Sequence, residues 1–229
     1  AHAVRGSLLK VVHRVADPEA VANFYSGALG LQRISAECAD ETSCKLLAAA
    51  GASPKLELIA ADGIGFVDGA SYRGISMRVP DVMAVVAAAS AHGGTVLEEA
   101  REVQHGPSNE PPEDDETVTP IVEAVVADPG GFPVHLFQAD CAASMICGVR
   151  LDVHEWKKSA EWYASRLGWT MLRWQSDVPR AASLSILLGG PGSEGFVGPV
   201  GALSDDQPSP LLSLRYVYGC TPREVASGL

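Results

Sequence analysis

The 229-residue chain has few cysteines, few aromatic residues and a shortage of positive charge. Its five cysteines form no CxxC pair, so the sequence indicates neither a zinc knuckle nor a disulfide framework. Lys and Arg number 17 against 28 Asp and Glu, and the net charge of −11 argues against nucleic acid or an anionic membrane as a partner. No apolar run approaches the roughly 20 residues of a spanning helix. We therefore expect a soluble acidic protein.

Nearly half of the residues are apolar, which is typical of a globular protein, and the length suits about one and a half to two domains. Reduced cysteines favour the cytosol, a plastid stroma or a mitochondrial matrix over secretion. The chain opens AHAVRGS without an initiator Met, for which a cleaved organelle transit peptide is one explanation and an artificial start is another. These features favour the plastid stroma or mitochondrial matrix, with the cytosol as the alternative.

One segment, SLLKVVHRVADPEAVANFYSGALGLQRI at positions 7–34, recurs along the chain. It combines an apolar run, an Asp-Pro turn, a helix with an aromatic pair and a Leu-Gly stop, the pattern of a βαβ unit. Tyr25 and Gly30 return as Tyr163 and Gly168, each 138 positions later (163 − 25 = 138). The motif RVAD at 14–17 returns as RVPD at 78–81, 64 positions later (78 − 14 = 64). With LLSLRYVYG at 211–219, the unit is found four times, which suggests duplicated half-domains.

Each unit predicts a strand, a helix and further strands. The predicted strands are 8–15, 31–36, 43–49, 55–60, 73–79, 95–98, 121–127, 134–138, 147–153, 170–174, 183–188, a weaker 196–203, and 211–218, and the predicted helices are 19–29, 82–91 and 155–167. The first domain is then 1–140, with modules of about 7–60 and 72–138. The second is 146–229, with a module of about 147–203 and a partial module at 210–229. Further chain or another polypeptide would have to complete the partial module.

Three elements, RVADPEAVANFYSGALGL, PKLELIAADG and VVADPGGFPVHLFQ, together resemble the glyoxalase, or vicinal oxygen chelate, superfamily. The resemblance is to eukaryotic proteins that carry two tandem glyoxalase domains. It implies an α+β fold in which paired βαβββ modules wrap curved mixed sheets round a cleft, with the helices on the outer face. For family enzymes it also implies a divalent metal that acts as a Lewis acid, held by four side chains, two from each module.

The family's four ligand positions fall on Lys10, Glu57, Gly74 and His135. Lys10 would repel a cation and Gly74 has no side chain, so the first expectation is that no cofactor is bound. Glu57 and His135 could form a two-ligand site for Zn, Ni or Mn and would then be the catalytic residues. Alternatively, Lys10 forms an ion pair with Glu57 in place of the metal. His13, three positions along the strand from Lys10, should face the other side of the sheet.

The same comparison with the family's metal-ligand positions finds no ligand side chains in the second domain. The displacement of 138 takes Lys10 to Gly148, and the counterpart of Glu57 is expected among residues 195–201, where the aligned strand has no carboxylate. Arg14 matches the family arginine that helps to hold glutathione carboxylates. Arg14 and Lys10 are therefore candidate contacts for a glutathione-type or other anionic ligand, and a rim charge facing solvent is the alternative for Arg14.

Two features suggest protein partners. The Pro-rich, acidic segment 107–119 predicts an exposed loop, either without function or docking a basic partner. Trp162 is predicted to be in the core by its spacing, although four tryptophans in the third module could instead form an exposed partner surface. The sequence therefore favours a catalytically degenerate glyoxalase-like protein acting as a structural or binding subunit of a larger organelle complex. The alternative is a metal-dependent lactoylglutathione lyase-like enzyme, or a binder of small anionic metabolites, that uses Glu57 and His135.

Overall fold

The computed structural model describes residues 8–34, 44–49, 54–61, 71–104, 120–177, 182–190, 193 and 211–218. Within these ranges three α-helices accompany one four-stranded and one eight-stranded sheet. Each helix follows the first strand of a βαβββ module, so the predicted α+β class and the modular fold are confirmed. No helix in the described ranges has the length and apolar character needed to cross a membrane.

The first module forms the four-stranded sheet by itself. Its elements are β1 (Lys10–Val15), α1 (Pro18–Gly27), β2 (Gln32–Arg33), β3 (Cys44–Ala48) and β4 (Lys55–Ala60). Asp17 caps α1, because its side chain accepts hydrogen bonds from the backbone N–H groups of Glu19 and Ala20, and Pro18 occupies the first turn. The sheet order is β1-β4-β3-β2, with β1 and β4 parallel.

The second and third modules share the eight-stranded sheet. The second contains β5 (Tyr72–Val79), α2 (Val82–Ala89), a 3-10 turn (Ser90–His92), β6 (Thr95–Gln104), β7 (Pro120–Ala127) and β8 (Pro133–Gln138). The third contains β9 (Met145–Asp152), α3 (Trp156–Leu167), β10 (Thr170–Asp177), β11 (Ser183–Gly189) and β12 (Leu211–Val217). Their first strands, β5 and β9, pair antiparallel, and the sheet order is β10-β11-β12-β9-β5-β8-β7-β6.

The strand β12 lies parallel to β9 and antiparallel to β11. This is the place that β4 holds in the first module, so β12 is the last strand of the third module, and the prediction that it opens a fourth module was wrong.

The strand register also identifies the residue of the third module that corresponds to Glu57. Val12 pairs with Glu57, and the equivalent Arg150 pairs with Ser213, which lies outside the expected range 195–201. The weaker strand predicted at 196–203 lies outside the described residues, and the division into domains 1–140 and 146–229 stays a prediction.

A single hydrophobic core is shared by the first two modules. It contains Phe24 and Tyr25 of α1 together with Leu56 of β4, Met77 of β5 and Leu136 of β8, all of them fully buried. Full burial of side chains of this size contributes about 1.5–3 kcal/mol each. The packing of both sheets and both helices on this core fixes the first two modules together.

The third module has a smaller core beneath α3. Its buried members are Trp169, Leu184, Ile186, Leu188, Leu212 and Leu214. Trp162, predicted in the core, is 52% exposed, because α3 turns Trp156 and Tyr163 toward the sheet instead. None of the residues of α3 is fully buried. This helix therefore covers its sheet less completely than α1 covers the four-stranded sheet.

A buried polar cluster joins the first module to the second. Nε2 of His13 lies 2.7 Å from the hydroxyl of Tyr72, and Nδ1 of His13 lies 3.8 Å from Asp128 Oδ2. Tyr25 donates its O–H to Asp128 Oδ2 over 3.2 Å. Oδ1 of Asp128 accepts the backbone N–H groups of Gly130 and Phe132 over 2.8 and 3.0 Å. Burial, and then the charge of Asp128, raises the pKa of Tyr25 and Tyr72, so both hydroxyls keep their protons.

Candidate functional site

The face of the eight-stranded sheet that is turned away from the shared core carries a group of charged side chains on its central strands. Val134 and Leu136 of β8 point into the core, so His135 between them projects from the opposite face. Neighbouring strands add four further side chains that contact one another or His135. We call this group the arginine face; its members are Arg73, His135, Arg150, Asp152 and Arg215.

Asp152 is clamped between two arginines from different strands. Arg73 of β5 donates Nε–H to Asp152 Oδ2 over 2.6 Å. Arg215 of β12 binds both carboxylate oxygens, with Nε 2.8 Å from Oδ1 and Nη2 2.9 Å from Oδ2. Charge-assisted, bidentate bonds of this kind are the stronger class of protein hydrogen bond. Because β9 carries Asp152, the clamp ties together the three strands at the centre of the sheet.

His135 has both ring nitrogens engaged. Nη1 of Arg150 lies 2.7 Å from Nδ1, and Nε2 lies 3.0 Å from the backbone oxygen of Arg73. A guanidinium can only donate, so Nδ1 accepts and the ring proton on Nε2 is donated to the carbonyl. Desolvation, followed by the charge of Arg150, holds the pKa of His135 well below 6.5. The ring is therefore neutral at neutral pH.

The lowered pKa of His135 makes stability fall in acid. The unfolded chain binds a proton near pH 6.5 and the folded ring does not, so its contribution is present above about pH 6.5 and is lost below it, by at most about 1.4 kcal/mol per pH unit. Gln in place of His135 keeps an acceptor for Arg150 without titrating. Urea unfolding between about pH 7 and about pH 5 should therefore show a shallower loss of stability in His135→Gln than in the wild type. Equal slopes would contradict the assignment of a neutral, desolvated ring.

The positions that the family uses for metal ligands do not fit a divalent cation on this face. They are Gly74 and His135 in the second module and Gly148 and Ser213 in the third. A Cβ on Gly74 would lie 1.9 Å from the backbone oxygen of Pro133, and one on Gly148 would lie 2.3 Å from that of Leu211. Neither glycine position can accept a ligand side chain while these strands stay paired. His135 has no free nitrogen, and the arginine charges would repel a cation.

In the first module, Lys10 and Glu57 form the predicted ion pair. Nζ of Lys10 lies 2.5 Å from Glu57 Oε2, and Cys44 Sγ lies 3.6 Å from Glu57 Oε1. The lysine therefore lies where a cation would otherwise approach this carboxylate. His13 is buried on the other side of β1, as expected from strand alternation. Arg14 is exposed, and its contact with an anionic ligand stays a prediction, as does that of Lys10.

The structure does not bring Glu57 and His135 together. The neighbours of Glu57 along β4, Leu56 and Leu58, pack into the same core as Leu136 beside His135. Strand alternation therefore points the two polar side chains away from the core, one from each sheet. The two-ligand metal site formed by Glu57 and His135 therefore stays a prediction, and this alternation does not support it. In the part of the chain that the structure describes, no three His, Cys, Asp or Glu side chains are grouped so that they could hold a metal ion.

Sequence patterns do not single out the other members of the arginine face. Arg150, Asp152 and Arg215 alternate with apolar residues on their strands, which predicts only that one side of each strand is polar. Their contacts depend on the pairing of β9 with both β5 and β12, which joins residues 63 and 79 positions apart.

Comparisons with known proteins agree with this architecture. A family model described as a glyoxalase-like domain matches residues 10–137, more than half of the chain. A probable chloroplastic lactoylglutathione lyase from Arabidopsis thaliana is 24% identical over 219 residues, which cover 93% of this chain and 55% of the relative. The chain thus spans about half the length of that relative.

Among solved structures, glyoxalase I from Zea mays has a TM-score of 0.67 at 22% identity, covering 94% of this chain and 69% of that chain. A putative dioxygenase from Bacillus subtilis has a TM-score of 0.52 at 12% identity, covering 93% of this chain and 64% of that chain. These likenesses show a common fold. With the family match and the βαβββ modules, they establish that the chain belongs to the glyoxalase, or vicinal oxygen chelate, superfamily.

Proposed function

We propose that this chain is a glyoxalase-family protein that performs no metal-dependent lyase chemistry and acts as a binding subunit of a larger assembly. The observation that carries the proposal is the close packing at Gly74 and Gly148. At both positions a carbonyl oxygen of the neighbouring strand occupies the space that a ligand side chain would need. Substitution of another residue for either glycine would have to break strand pairing before it could create a ligand.

The charges around the other two positions support the same proposal. His135 lies against Arg150, and Ser213, a neutral hydroxyl, is opposite Arg150 in the register of β9 and β12. Lys10 neutralises Glu57 in the first module. Because a divalent cation would meet arginine or lysine at each place, its binding would have to overcome Coulombic repulsion as well as the shortage of ligands.

The surface of the third module supports a role in assembly. Trp162 and Trp174 are 52% and 39% exposed, and α3 has no fully buried residue. Exposed tryptophans are enriched among the residues that dominate protein interfaces. The acidic segment 107–119 lies outside the described residues and stays a proposed docking element for a basic partner. The chloroplastic relative favours a plastid for the assembly over the mitochondrial matrix or cytosol.

The second candidate function is the lactoylglutathione lyase activity for which the Arabidopsis relative is named. Glu57 favours it, because this carboxylate occupies a family ligand position. An active site there would require displacement of Lys10 and additional ligands. Those ligands would have to approach along β1, which is at the edge of its sheet within the described residues.

Elemental analysis distinguishes the two functions. The protein is incubated with zinc, nickel and manganese and then desalted, and isomerisation of the thiohemiacetal of glutathione is assayed with and without a chelator. We expect no stoichiometric metal, no chelator-sensitive activity and no difference between the wild type, Glu57→Gln and a surface control, Glu19→Gln. Near-stoichiometric metal that is lost in Glu57→Gln but kept in Glu19→Gln would refute the proposal, and chelator-sensitive isomerisation with the same dependence would establish the lyase.

A further inference from the structure

Arg150 differs from the other arginines of the arginine face in its hydrogen-bonding partner. Arg73 and Arg215 share the carboxylate of Asp152, whereas Arg150 contacts the neutral ring of His135. Within the described residues no carboxylate forms an ion pair with Arg150. Glu123, Glu98 and Asp152 favour its charged form only through longer-range Coulombic interactions. Arg150 is thus a cation at the centre of the sheet whose direct partner carries no charge.

This arrangement leaves a free-energy cost that a bound anion would remove. Desolvation lowers the pKa of Arg150, because the strands around it replace water. A desolvated charge without a counter-charge is unfavourable, and a carboxylate held in two parallel hydrogen bonds is the preferred partner of a guanidinium. Arg150 is only partly buried, so within the part of the chain that the structure describes some of its side chain is accessible to a small molecule. His135 uses one nitrogen to hold the guanidinium in place.

The neighbouring side chains indicate what else such a ligand carries. Ser213 lies directly opposite Arg150 in the sheet, and its hydroxyl is a second donor on the same face. Two residues before Ser213, Leu211 belongs to an apolar cluster that is separate from both cores; the cluster consists of Cys147, Leu211, Leu172 and Leu187. Strand alternation places Leu211 and Ser213 on one face. Leu211 and Cys147 are buried, whereas Leu172 and Leu187 are partly exposed, and Leu187 is paired with Ser213 in the register of β11 and β12. The accessible apolar surface of this cluster therefore lies beside Ser213.

We propose that Arg150 binds the carboxylate of a small organic acid, with Ser213 as a second hydrogen-bond donor and the partly exposed Leu172 and Leu187 in contact with an apolar tail. The inference rests on the proposed function, because it requires that this face hold no metal. It goes further in naming the class of ligand and the residues that recognise it. Arg150 is the binding residue, and His135 is a positioning residue that acts through it.

The test uses the full chain and the carboxylates acetate and hexanoate, with ionic strength held constant by sodium chloride. Thermal unfolding should show a saturable rise in Tm with hexanoate and a smaller rise with acetate, because a ligand that binds only the folded state stabilises it. Arg150→Met should weaken the apparent affinity for hexanoate by roughly tenfold or more. Arg101→Met removes an arginine that is 63% exposed on β6 and should leave the affinity unchanged.

Two further measurements keep the proposal falsifiable. Arg150→Met removes a desolvated charge but also the donor to Nδ1 of His135, so the Tm of the variant without ligand is the reference for its own titration. If Arg150→Met does not fold, Arg150→Lys replaces it in the test. This variant keeps the positive charge but loses the bidentate geometry, so it should also bind hexanoate more weakly than the wild type. Titration with inorganic phosphate should give a smaller rise in Tm than hexanoate.

The proposal would be overturned by the absence of a saturable rise with hexanoate, by an equal rise in Arg150→Met, or by an equal or larger rise with phosphate. Failure of the proposed function is recognised separately. Metal retained by the wild type refutes the metal-free function whatever hexanoate does. Absence of hexanoate binding in a protein that retains no metal refutes only the carboxylate site.

Discussion

Replacing Gly74 with alanine is expected to lower the free energy of unfolding by about 3 kcal/mol or more. The added Cβ would lie 1.9 Å from the backbone oxygen of Pro133, and φ at this residue is +106°, which side chains rarely adopt. The oxygen belongs to the strand beside β5, so it cannot move without disturbing the pairing of β5 with β8. Equilibrium unfolding in urea measures the loss.

Gly30→Ala is the matched control. Gly30 also has a positive φ, +70°, but nothing lies within 4 Å of the position that its Cβ would occupy. Only the backbone conformation opposes the substitution, so a loss of about 1–2 kcal/mol is expected. Similar losses in the two variants would mean that the contact with Pro133 is relieved and that Gly74 is required for its φ alone. The argument against a ligand at Gly74 would then fail, because a side chain could be accommodated there.

Removing the carboxylate of Asp128 is expected to have the second large effect. In Asp128→Ala two backbone N–H groups and the hydroxyl of Tyr25 lose their acceptor in a buried site. Each buried donor left unsatisfied costs about 1–3 kcal/mol, so a total loss of about 3–5 kcal/mol is expected in urea unfolding. Because these groups join the first two modules, unfolding of both should remain a single transition at a lower denaturant concentration.

Tyr25→Phe is the control for Asp128→Ala. It deletes one hydroxyl from the same cluster, leaves both backbone bonds to Asp128 and keeps the ring in the core. Its cost should be about 1 kcal/mol. A loss in Asp128→Ala no larger than that in Tyr25→Phe would show that the backbone N–H groups find other acceptors, and that the turn after β7 does not depend on this side chain.

Most of the local structure was predictable because it depends on neighbours in the sequence. The Asp-Pro start of α1, the hairpin of β7 and β8 and the βαβββ order all follow from capping, turn and periodicity signals, and Lys10 and Glu57 do pair. Two predictions failed where partners are distant. The pattern LLSLRYV suits a first or a last strand equally well, so only the pairing of β12 with β9 and β11 identifies its place. Helical spacing likewise cannot say which face of α3 meets the sheet.

The candidate site was less predictable than the fold. Family positions led to His135 and Gly74, and the structure puts His135 in the arginine face and Gly74 next to it along β5. The partners of His135 come from β5 and β9. The metal site expected from Glu57 and His135 assumed that the first two modules curve round one cleft. They instead share a core, and the second module pairs its first strand with that of the third. A single sequence contains no signal that the second module pairs with the third rather than with the first.

The antiparallel pairing of β5 with β9 also has a consequence during synthesis. When β8 has emerged from the ribosome and β9 has not, one side of β5 is an unpaired sheet edge. Its backbone donors and acceptors can then pair with any other extended chain. This period ends only when β9, which follows a linker of a few residues, emerges and closes the edge. Ribosome pausing between β8 and β9 would prolong the exposure and make chaperone binding, or aggregation between neighbouring chains on a polysome, compete with folding.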